Sequence, residues 1–169
     1  FDCGNADLPK GDQDAAIANV ARMVAEALDA GCRVITLGGC VPTANYAVAK
    51  GVASATQGKV GTISFDAHGD CMDYLSATAG RTKPGPGTWQ RRLWENCQNV
   101  DPSRHVEIGM RGPRNVREMI ETYKRNGGLV YPASTFRQWG VDTVAAEAFP
   151  HAMKDTARTW FSLCLDVLD

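Results

Sequence analysis

Three residues of types that commonly bind metal ions occupy alternate positions in the middle of the chain: Asp66, His68 and Asp70. On extended backbone, alternate side chains point to the same side, so these three are expected to converge. Two carboxylates and an imidazole favour a divalent cation such as manganese, iron, nickel or zinc over calcium or magnesium, which prefer oxygen ligands. The alternative is that Asp66 or Asp70 caps the following helix and that His68 is an ordinary surface or core histidine.

The residues that precede this cluster predict a buried strand. Residues 60–65 are apolar, small or β-branched, as in the strands of parallel sheets that are covered on both faces. Open α/β sheets bind their ligands beyond the carboxyl ends of such strands. The sequence therefore predicts a metal site at the carboxyl end of an inner strand.

Predicted helices and strands alternate along the whole chain. Apolar periodicity and turn residues predict helices over residues 12–30, 42–53, 88–96, 113–125 and 141–154, the last interrupted near Pro150. Strands are predicted over residues 33–37, 60–65, 105–110, 129–131 and 159–168. This order predicts an α/β domain with a doubly wound parallel sheet and right-handed crossovers.

Composition restricts the classes of function. The chain has 169 residues, 44% of them hydrophobic and 22% charged, with a net charge of −1. The absence of a basic excess argues against a nucleic-acid partner, and no apolar run is long enough to predict a membrane span. The six cysteines form no Cys-x-x-Cys pair, which predicts free thiols and a cytoplasmic location.

Five stretches together resemble the ureohydrolases, the arginase and agmatinase family. They lie in the family's order, at residues 2–5, 37–42, 65–70, 106–112 and 162–169. The most specific is the Asp-Ala-His-Gly-Asp run at residues 66–70. Residues 101–106 and 108–112 are more similar to agmatinases than to arginases. The resemblance implies a three-layer, arginase-like fold in a single domain over residues 1–169, expected to be a segment of a longer chain that forms homotrimers or homohexamers.

The resemblance also implies a reaction and a ligand set. The reaction is hydrolysis of a guanidino compound, of the agmatine or guanidinobutyrate type, to urea and an amine by a hydroxide that bridges two Mn²⁺ ions. Two neighbouring cations lower the pKa of a shared water and hold it in place. Asp66 would bridge both metals, Asp70 and His68 would each bind one of them, and Asp166 would complete the coordination of the second metal. No further catalytic residue is assigned.

The sequence departs from the family pattern at three positions. Val41 stands in place of a metal-binding histidine, Cys164 in place of a bridging aspartate, and Pro86 in place of a histidine before Gly-Thr. Cys164 shares strand parity with Asp166, so its thiol is expected to point at the site as a replacement ligand. A soft thiolate favours zinc or iron over manganese, and Zn²⁺ or Ni²⁺ are the alternatives to Mn²⁺.

These departures leave two hypotheses open. The chain is either an active, metal-dependent hydrolase of linear amidines, with one or two metals, or a catalytically silent relative that serves as a structural or regulatory subunit. Retention of Asp66, His68, Asp70 and Asp166 favours the hydrolase, because unpaired buried carboxylates destabilise a protein and would be lost from an unused site. The substrate-binding carboxylate of the family lies beyond Asp169, so the particular guanidino substrate is not determined.

Other residues with chemical potential are given structural roles. His105 starts a predicted strand, and we expect it at the surface and not among the metal ligands. Trp89 and Trp94 are expected in the core or at an interface. Arg111 and Arg114 flank a Gly-Pro pair after a strand and are expected near a subunit boundary.

Overall fold

The computed structural model describes residues 2–39, 42–73 and 83–168, and a single parallel sheet lies at its centre. The strands are β1 (Val60–Phe65), β2 (Val100–Ile108), β3 (Leu129–Tyr131) and β4 (Arg158–Leu163). They lie in the order β3-β2-β1-β4, and all neighbouring pairs are parallel. The helices of the described chain are α1 (Gln13–Asp29), α2 (Ala47–Ser54), α3 (Trp89–Asn96), α4 (Arg117–Arg125), α5 (Ala133–Trp139) and α6 (Val141–Met153).

Helices cover both faces of the sheet, because β1 presents apolar side chains to each side. Ile63 and Phe65 pack in a cluster with α6, whereas Val60 packs on the other face with residues of α2 and α3. Burial of a side chain such as Ile63 contributes roughly 1.5–3 kcal/mol. The prediction of a three-layer, doubly wound α/β fold with a parallel sheet is confirmed.

The register of the sheet brings three carboxyl ends to one edge. Phe65, the last residue of β1, pairs with Ile108 of β2 on one side and with Leu163 of β4 on the other. The segments that follow these strands therefore begin side by side, as expected for parallel strands. Candidate ligands from distant parts of the sequence are placed next to each other by this register.

The predicted strand at residues 33–37 is wrong. These residues have no regular secondary structure and make no strand pairing with any described residue, and Ile35 and Leu37 are 90% and 93% exposed. The segment and β4 both line an open groove of about 1060 Å³. β-Branched composition favours extended backbone, but a strand also needs a neighbour that accepts and donates its backbone hydrogen bonds.

Several predicted boundaries also differ from the structure. Helix α4 begins at Arg117 and not at residue 113, and α5, after Pro132, was not predicted. Pro150 lies within α6 without ending it, because Ala148 and Ala152 on the same helix are buried against the sheet. Propensity is a weak guide where tertiary packing holds an element in place. No helix in the described segments combines the length and apolar character that crossing a membrane requires.

Candidate metal centre

The segments after β1 and β4 bring together three residues with possible ligand atoms. Asp66, Cys164 and Asp166 each offer one such atom, and these atoms lie within 4.8 Å of one another. Asp66 is buried, Cys164 is half-buried and Asp166 is exposed, so the group opens from the interior towards solvent. A buried carboxylate beside further ligand atoms is an arrangement that a cation stabilises, because unpaired buried charge is costly.

His68 joins this group through a tight turn. Its backbone N–H donates to Asp66 Oδ1 at 2.7 Å, which turns the chain immediately after β1. Its Nδ1 then lies 3.0 Å from Asp166 Oδ2 and 3.5 Å from Asp66 Oδ1. The side chains of Asp66 and His68 meet as expected, but the predicted cause, alternation on extended backbone, is wrong because β1 ends at Phe65.

Asp70 lies beside the group and not within it. Its backbone has a φ of +44°, so it leaves the extended conformation that the alternation argument requires. The carboxylate is buried, and its Oδ2 accepts a hydrogen bond of 2.8 Å from Trp89 Nε1, with a further one from the Gly87 amide. Its negative charge raises the pKa of Asp66. The assignment of Asp70 as a metal ligand thus stays a prediction, and its carboxylate already accepts hydrogen bonds from Trp89 and Gly87.

Asp166 reaches the site from a turn and not from a strand. The predicted strand to residue 168 ends at Leu163, and Leu165–Val167 form a single 3₁₀ turn. Arg111 fixes this turn by donating from Nη2 to the Asp166 carbonyl at 2.6 Å and from Nη1 to the Val167 carbonyl at 3.1 Å. The shared parity of Cys164 and Asp166 is therefore not what brings their side chains together.

A close backbone approach also holds this turn in place. Val167 packs directly on Gly109, where an added Cβ would lie 2.4 Å from Val167 Cγ2. Gly109 has a φ of +107°, a conformation that side-chain-bearing residues rarely adopt. The Ala67 amide donates to Asp166 Oδ1 at 3.3 Å across the same gap. Glycine at this position lets the ends of β2 and β4 approach closely enough to share a site.

The pKa values of the two carboxyl groups of the centre, Asp66 and Asp166, are shifted in opposite directions. Burial, reinforced by the charge of Asp70, raises the pKa of Asp66 to about 7. Partial burial opposes ionisation of Asp166 as well, but hydrogen bonds from the Cys164 thiol, the Ala67 amide and His68 outweigh it and lower its pKa. Near neutral pH the metal-free centre therefore holds an ionised Asp166 and a partly protonated Asp66.

The Cys164 thiol is protonated in the metal-free chain. Burial, together with the hydrogen bond that the thiol donates to Asp166, raises the pKa of Cys164 to about 12. A cation that binds sulfur must displace this proton, and a strong metal–thiolate bond can do so. The thiol is thus held beside two carboxylates in a position to become a ligand.

The donor set fits one divalent cation. The carboxylates of Asp66 and Asp166 and the thiol of Cys164 lie within 4.8 Å of one another, and the His68 imidazole lies beside both carboxylates; a borderline metal such as zinc accepts all of these ligand types. Manganese would be held mainly by the oxygen and nitrogen donors. Position 41, where the family pattern places a histidine, lies outside the described residues. The described part of the chain therefore supports one partial group of ligands, formed by Asp66, Cys164 and Asp166.

Metal affinity is expected to rise with pH up to about pH 7. Asp66 must lose its proton to bind a cation, so protonation competes with the metal and lowers affinity by about tenfold per pH unit below 7. Isothermal titration of Mn²⁺ into the protein at a series of pH values checks this. The same series on Cys164→Ser removes the contribution of the thiol proton, and a flat affinity across pH 6 to 7 in that variant would contradict the prediction.

Several residues around the centre were missed or misplaced by the sequence analysis. Asn115 was not singled out, yet its Oδ1 accepts from the Gly69 amide at 3.0 Å and its Nδ2 donates to the Ala67 carbonyl at 2.7 Å. An asparagine in the turn before a helix was the available signal, and such residues commonly bond to nearby backbone. Arg111 was not expected to contact the centre, yet it holds the Asp166 turn; its place near a subunit boundary stays a prediction.

His105 is fully buried, so its expected surface position is wrong. Its Nδ1 lies 2.7 Å from Thr62 Oγ1, and its Nε2 lies 3.2 Å from Glu107 Oε2. Burial lowers the pKa of His105 to about 3 and raises the pKa of Glu107, so the two are neutral partners beneath the site. No local sequence signal gives this, because the neighbour that buries His105 comes from another element.

Comparisons with known proteins agree with this architecture. The model of a family described as the arginase family matches residues 1–169. The solved structure of formimidoylglutamase from Bacillus subtilis is 23% identical, with a TM-score of 0.86, over 99% of this chain and 50% of that chain. Proclavaminate amidino hydrolase from Streptomyces clavuligerus is also 23% identical, with a TM-score of 0.79, over 99% of this chain and 52% of that chain.

A third similar structure contains manganese. It is a variant of formiminoglutamase from Trypanosoma cruzi with Mn²⁺, 22% identical with a TM-score of 0.82, over 98% of this chain and 52% of that chain. At these identities the likeness shows a shared fold. The present chain spans about half the length of these structures. The comparison with curated proteins found no match.

Proposed function

Because this chain belongs to the arginase family along its entire length, we propose that it is a metal-dependent amidinohydrolase that releases urea and an amine from a guanidino compound. The observation that carries the proposal is the convergence of Asp66, Cys164 and Asp166 within 4.8 Å, with His68 bonded to Asp166. The family match alone would be compatible with a scaffold. A cluster of ionisable side chains at the carboxyl edge of the sheet is the feature that chemistry needs.

The reaction requires activation of water. In the overall reaction the oxygen of water bonds to the guanidino carbon, the bond from that carbon to the substituted nitrogen breaks, and the amine leaves with a proton. Guanidinium is a poor electrophile and water is a poor nucleophile at neutral pH; a bound divalent cation supplies the missing activation by lowering the pKa of water.

The protein's own part is to hold the cation and to place charge around it. Asp66 and Asp166 supply carboxylate oxygens, His68 supplies an imidazole nitrogen, and Cys164 supplies sulfur where its proton is displaced. Asp70 adds negative charge from the side of α3. Manganese is the first candidate because a structure similar to this chain contains it, and zinc is the second because of the thiol.

An assay of product release tests the proposal. Agmatine, guanidinobutyrate and arginine are incubated separately with the protein after addition of Mn²⁺ or Zn²⁺, and urea is measured. Turnover of at least one substrate that chelation abolishes and metal restores is the expected result. Metal binding without turnover of any amidine substrate would leave the alternative, a catalytically silent relative that keeps the fold as a subunit.

The alternative is favoured by two departures of the sequence from the family pattern. Cys164 stands in place of a bridging aspartate, and Val41 stands in place of a metal-binding histidine. Elemental analysis of the purified protein separates the hypotheses further. About two metals per chain supports the catalytic pair, about one supports the single described group, and none supports the silent relative.

Replacement of Cys164 is expected to change which metal is preferred. Cys164→Asp exchanges a soft sulfur for a hard oxygen, so the ratio of Zn²⁺ to Mn²⁺ affinity should fall on the order of tenfold or more. Competition between the two metals for a shared chelator measures this ratio. Cobalt provides a direct signature, because the sulfur-to-cobalt absorption band should be present in the wild type and absent in Cys164→Asp.

The exposed Cys32 offers a matched control for this experiment. Cys32→Ser removes a thiol at the end of α1 and should leave both the affinity ratio and the cobalt spectrum unchanged. Equal ratios for wild type and Cys164→Asp would show that sulfur is not a ligand. The carboxylates and His68 would then have to account for all of the binding.

A further inference from the structure

Two buried aromatic side chains hydrogen-bond to residues 66–70, the segment that carries three of the predicted ligands. Trp89, the first residue of α3, is 1% exposed, and its Nε1 donates to Asp70 Oδ2 at 2.8 Å. Its ring is itself fixed edge-on against Trp160 of β4, with centroids 5.8 Å apart. The donor therefore has little freedom to move, and the orientation of the Asp70 carboxylate depends on it.

Tyr123 of α4 acts on the main chain of the same segment. Its hydroxyl donates to the carbonyl of Gly69, the residue between His68 and Asp70. The ring is fully buried and stacks on His105, with centroids 4.7 Å apart and an angle of 11° between the planes. A hydroxyl held in this way fixes the peptide that joins the two predicted ligands.

The backbone of Asp70 needs such support. Its φ of +44° lies in the left-handed region, which residues with a side chain rarely adopt unless their surroundings impose it. The backbone N–H of Gln90 also donates to the Asp70 carbonyl, at 3.1 Å. Hydrogen bonds from α3 and α4 thus fix the peptide groups before and after Asp70 as well as its side chain.

We propose that Trp89 and Tyr123 are positioning residues of the metal centre: Trp89 orients the Asp70 carboxylate, and Tyr123 fixes the Gly69 peptide between His68 and Asp70. Partners of this kind typically account for 10–100-fold in metal affinity, because they hold a ligand in its binding orientation before the metal arrives. This inference rests on the metal-dependent function proposed above.

The chain contains a matched control for each residue. Trp94 is another largely buried tryptophan, but its Nε1 makes no hydrogen bond among the described residues, so Trp94→Phe removes the same ring atoms without a bond to the ligand segment. Tyr46 is buried as well, and its hydroxyl accepts from Asn96 Nδ2 at 3.0 Å. Tyr46→Phe therefore removes a bonded hydroxyl that has no contact with the ligand segment.

Calorimetric titration of Mn²⁺ and Zn²⁺ into the wild type and the four variants tests the inference, with thermal unfolding recorded alongside. Trp89→Phe and Tyr123→Phe should each bind metal 10–100-fold more weakly, whereas Trp94→Phe and Tyr46→Phe should stay within about twofold of the wild type. The melting temperatures within each pair should fall by similar amounts. Excess metal should restore whatever turnover the wild type shows.

The outcomes separate this inference from the proposed function. A wild type that binds no metal would overturn both. A wild type that binds metal, with Trp89→Phe and Tyr123→Phe indistinguishable from their controls, would overturn the positioning roles alone. If Trp89→Phe does not fold, Tyr123→Phe still decides, because it deletes one oxygen atom; unchanged affinity in that variant would overturn the inference.

Discussion

Asp66→Asn is expected to abolish metal binding while leaving the fold intact. The substitution removes the only buried carboxylate of the three-residue group formed by Asp66, Cys164 and Asp166. Affinity for Mn²⁺ or Zn²⁺ should therefore fall by more than about 100-fold, which exceeds the loss typical when a residue that only hydrogen-bonds to a ligand is replaced. An asparagine oxygen can still accept the hydrogen bond from the His68 amide, so the turn after β1 is retained. Calorimetric titration and the metal content of the purified protein measure the effect.

Stability provides an internal check on this variant. The pKa of Asp66 is raised, so the folded metal-free chain holds a proton there more tightly than the unfolded chain does. Protonated Asp66 therefore contributes to the free energy of unfolding at pH values below the ordinary pKa of an aspartate. This contribution is lost as the pH rises towards 7, because the buried carboxyl group must then ionise. Asp66→Asn stays neutral, so the metal-free variant should be at least as stable as the wild type above pH 7.

Asp29→Asn is the matched control for the loss of a carboxylate. Asp29 is exposed at the last position of α1, where a negative charge is unfavourable to the helix dipole, so its removal should not destabilise the protein. Its metal affinity should equal that of the wild type. If Asp66→Asn also retained wild-type affinity, the cation would have to bind elsewhere and the proposed centre would be wrong.

Gly61→Ala is expected to have the largest effect on stability. Gly61 lies in β1 directly under α6, and an added Cβ would lie 2.0 Å from the carbonyl oxygen of Ala152 and 3.0 Å from its carbonyl carbon. Neither the inner strand nor the backbone of α6 can move without disturbing the core cluster around Ile63. Overpacking of this kind should cost about 3 kcal/mol, the upper end of the usual range.

Thermal unfolding followed by circular dichroism measures the loss, which corresponds to a fall in melting temperature of roughly 6–12 °C for a chain of this size. Gly39→Ala is the control, because an added Cβ there has no atom of the described residues within 4 Å and the backbone does not have a positive φ. A melting temperature for Gly61→Ala equal to that of Gly39→Ala would mean that α6 does not pack on β1 at the observed distance.

The local sequence was sufficient to predict β1 and to identify candidate metal ligands after it. The run at residues 60–65 has the apolar and β-branched composition of a buried strand, and β1 is observed at those residues. Alternation of helices and strands likewise predicted the parallel sheet. These inferences depend on composition and on spacing over a few residues, and such information is contained in the chain itself.

The edges of the elements could not be predicted in the same way. Residues 33–37 have a strand-like composition, but they form no strand because no described residue supplies the hydrogen-bonding partner. His105 was expected at the surface and is buried by the rings of Tyr123 and Trp94, which come from two other elements. Whether a segment is paired or covered depends on neighbours that are remote in sequence.

The sequence by itself determined the parallel α/β fold and identified Asp66, His68, Asp70 and Asp166 as candidate ligands, because residue type and short spacing specify strand burial and ligand chemistry. Only the tertiary structure decided how they meet. The register of β1 with β4, the close contact of Gly109 with Val167 and the turn at Asp166 bring Cys164 and Asp166 to Asp66, and Trp89 fixes the carboxylate of Asp70 by a hydrogen bond. Distances between side chains from separate strands depend on packing across the sheet, and that packing involves the whole chain at once.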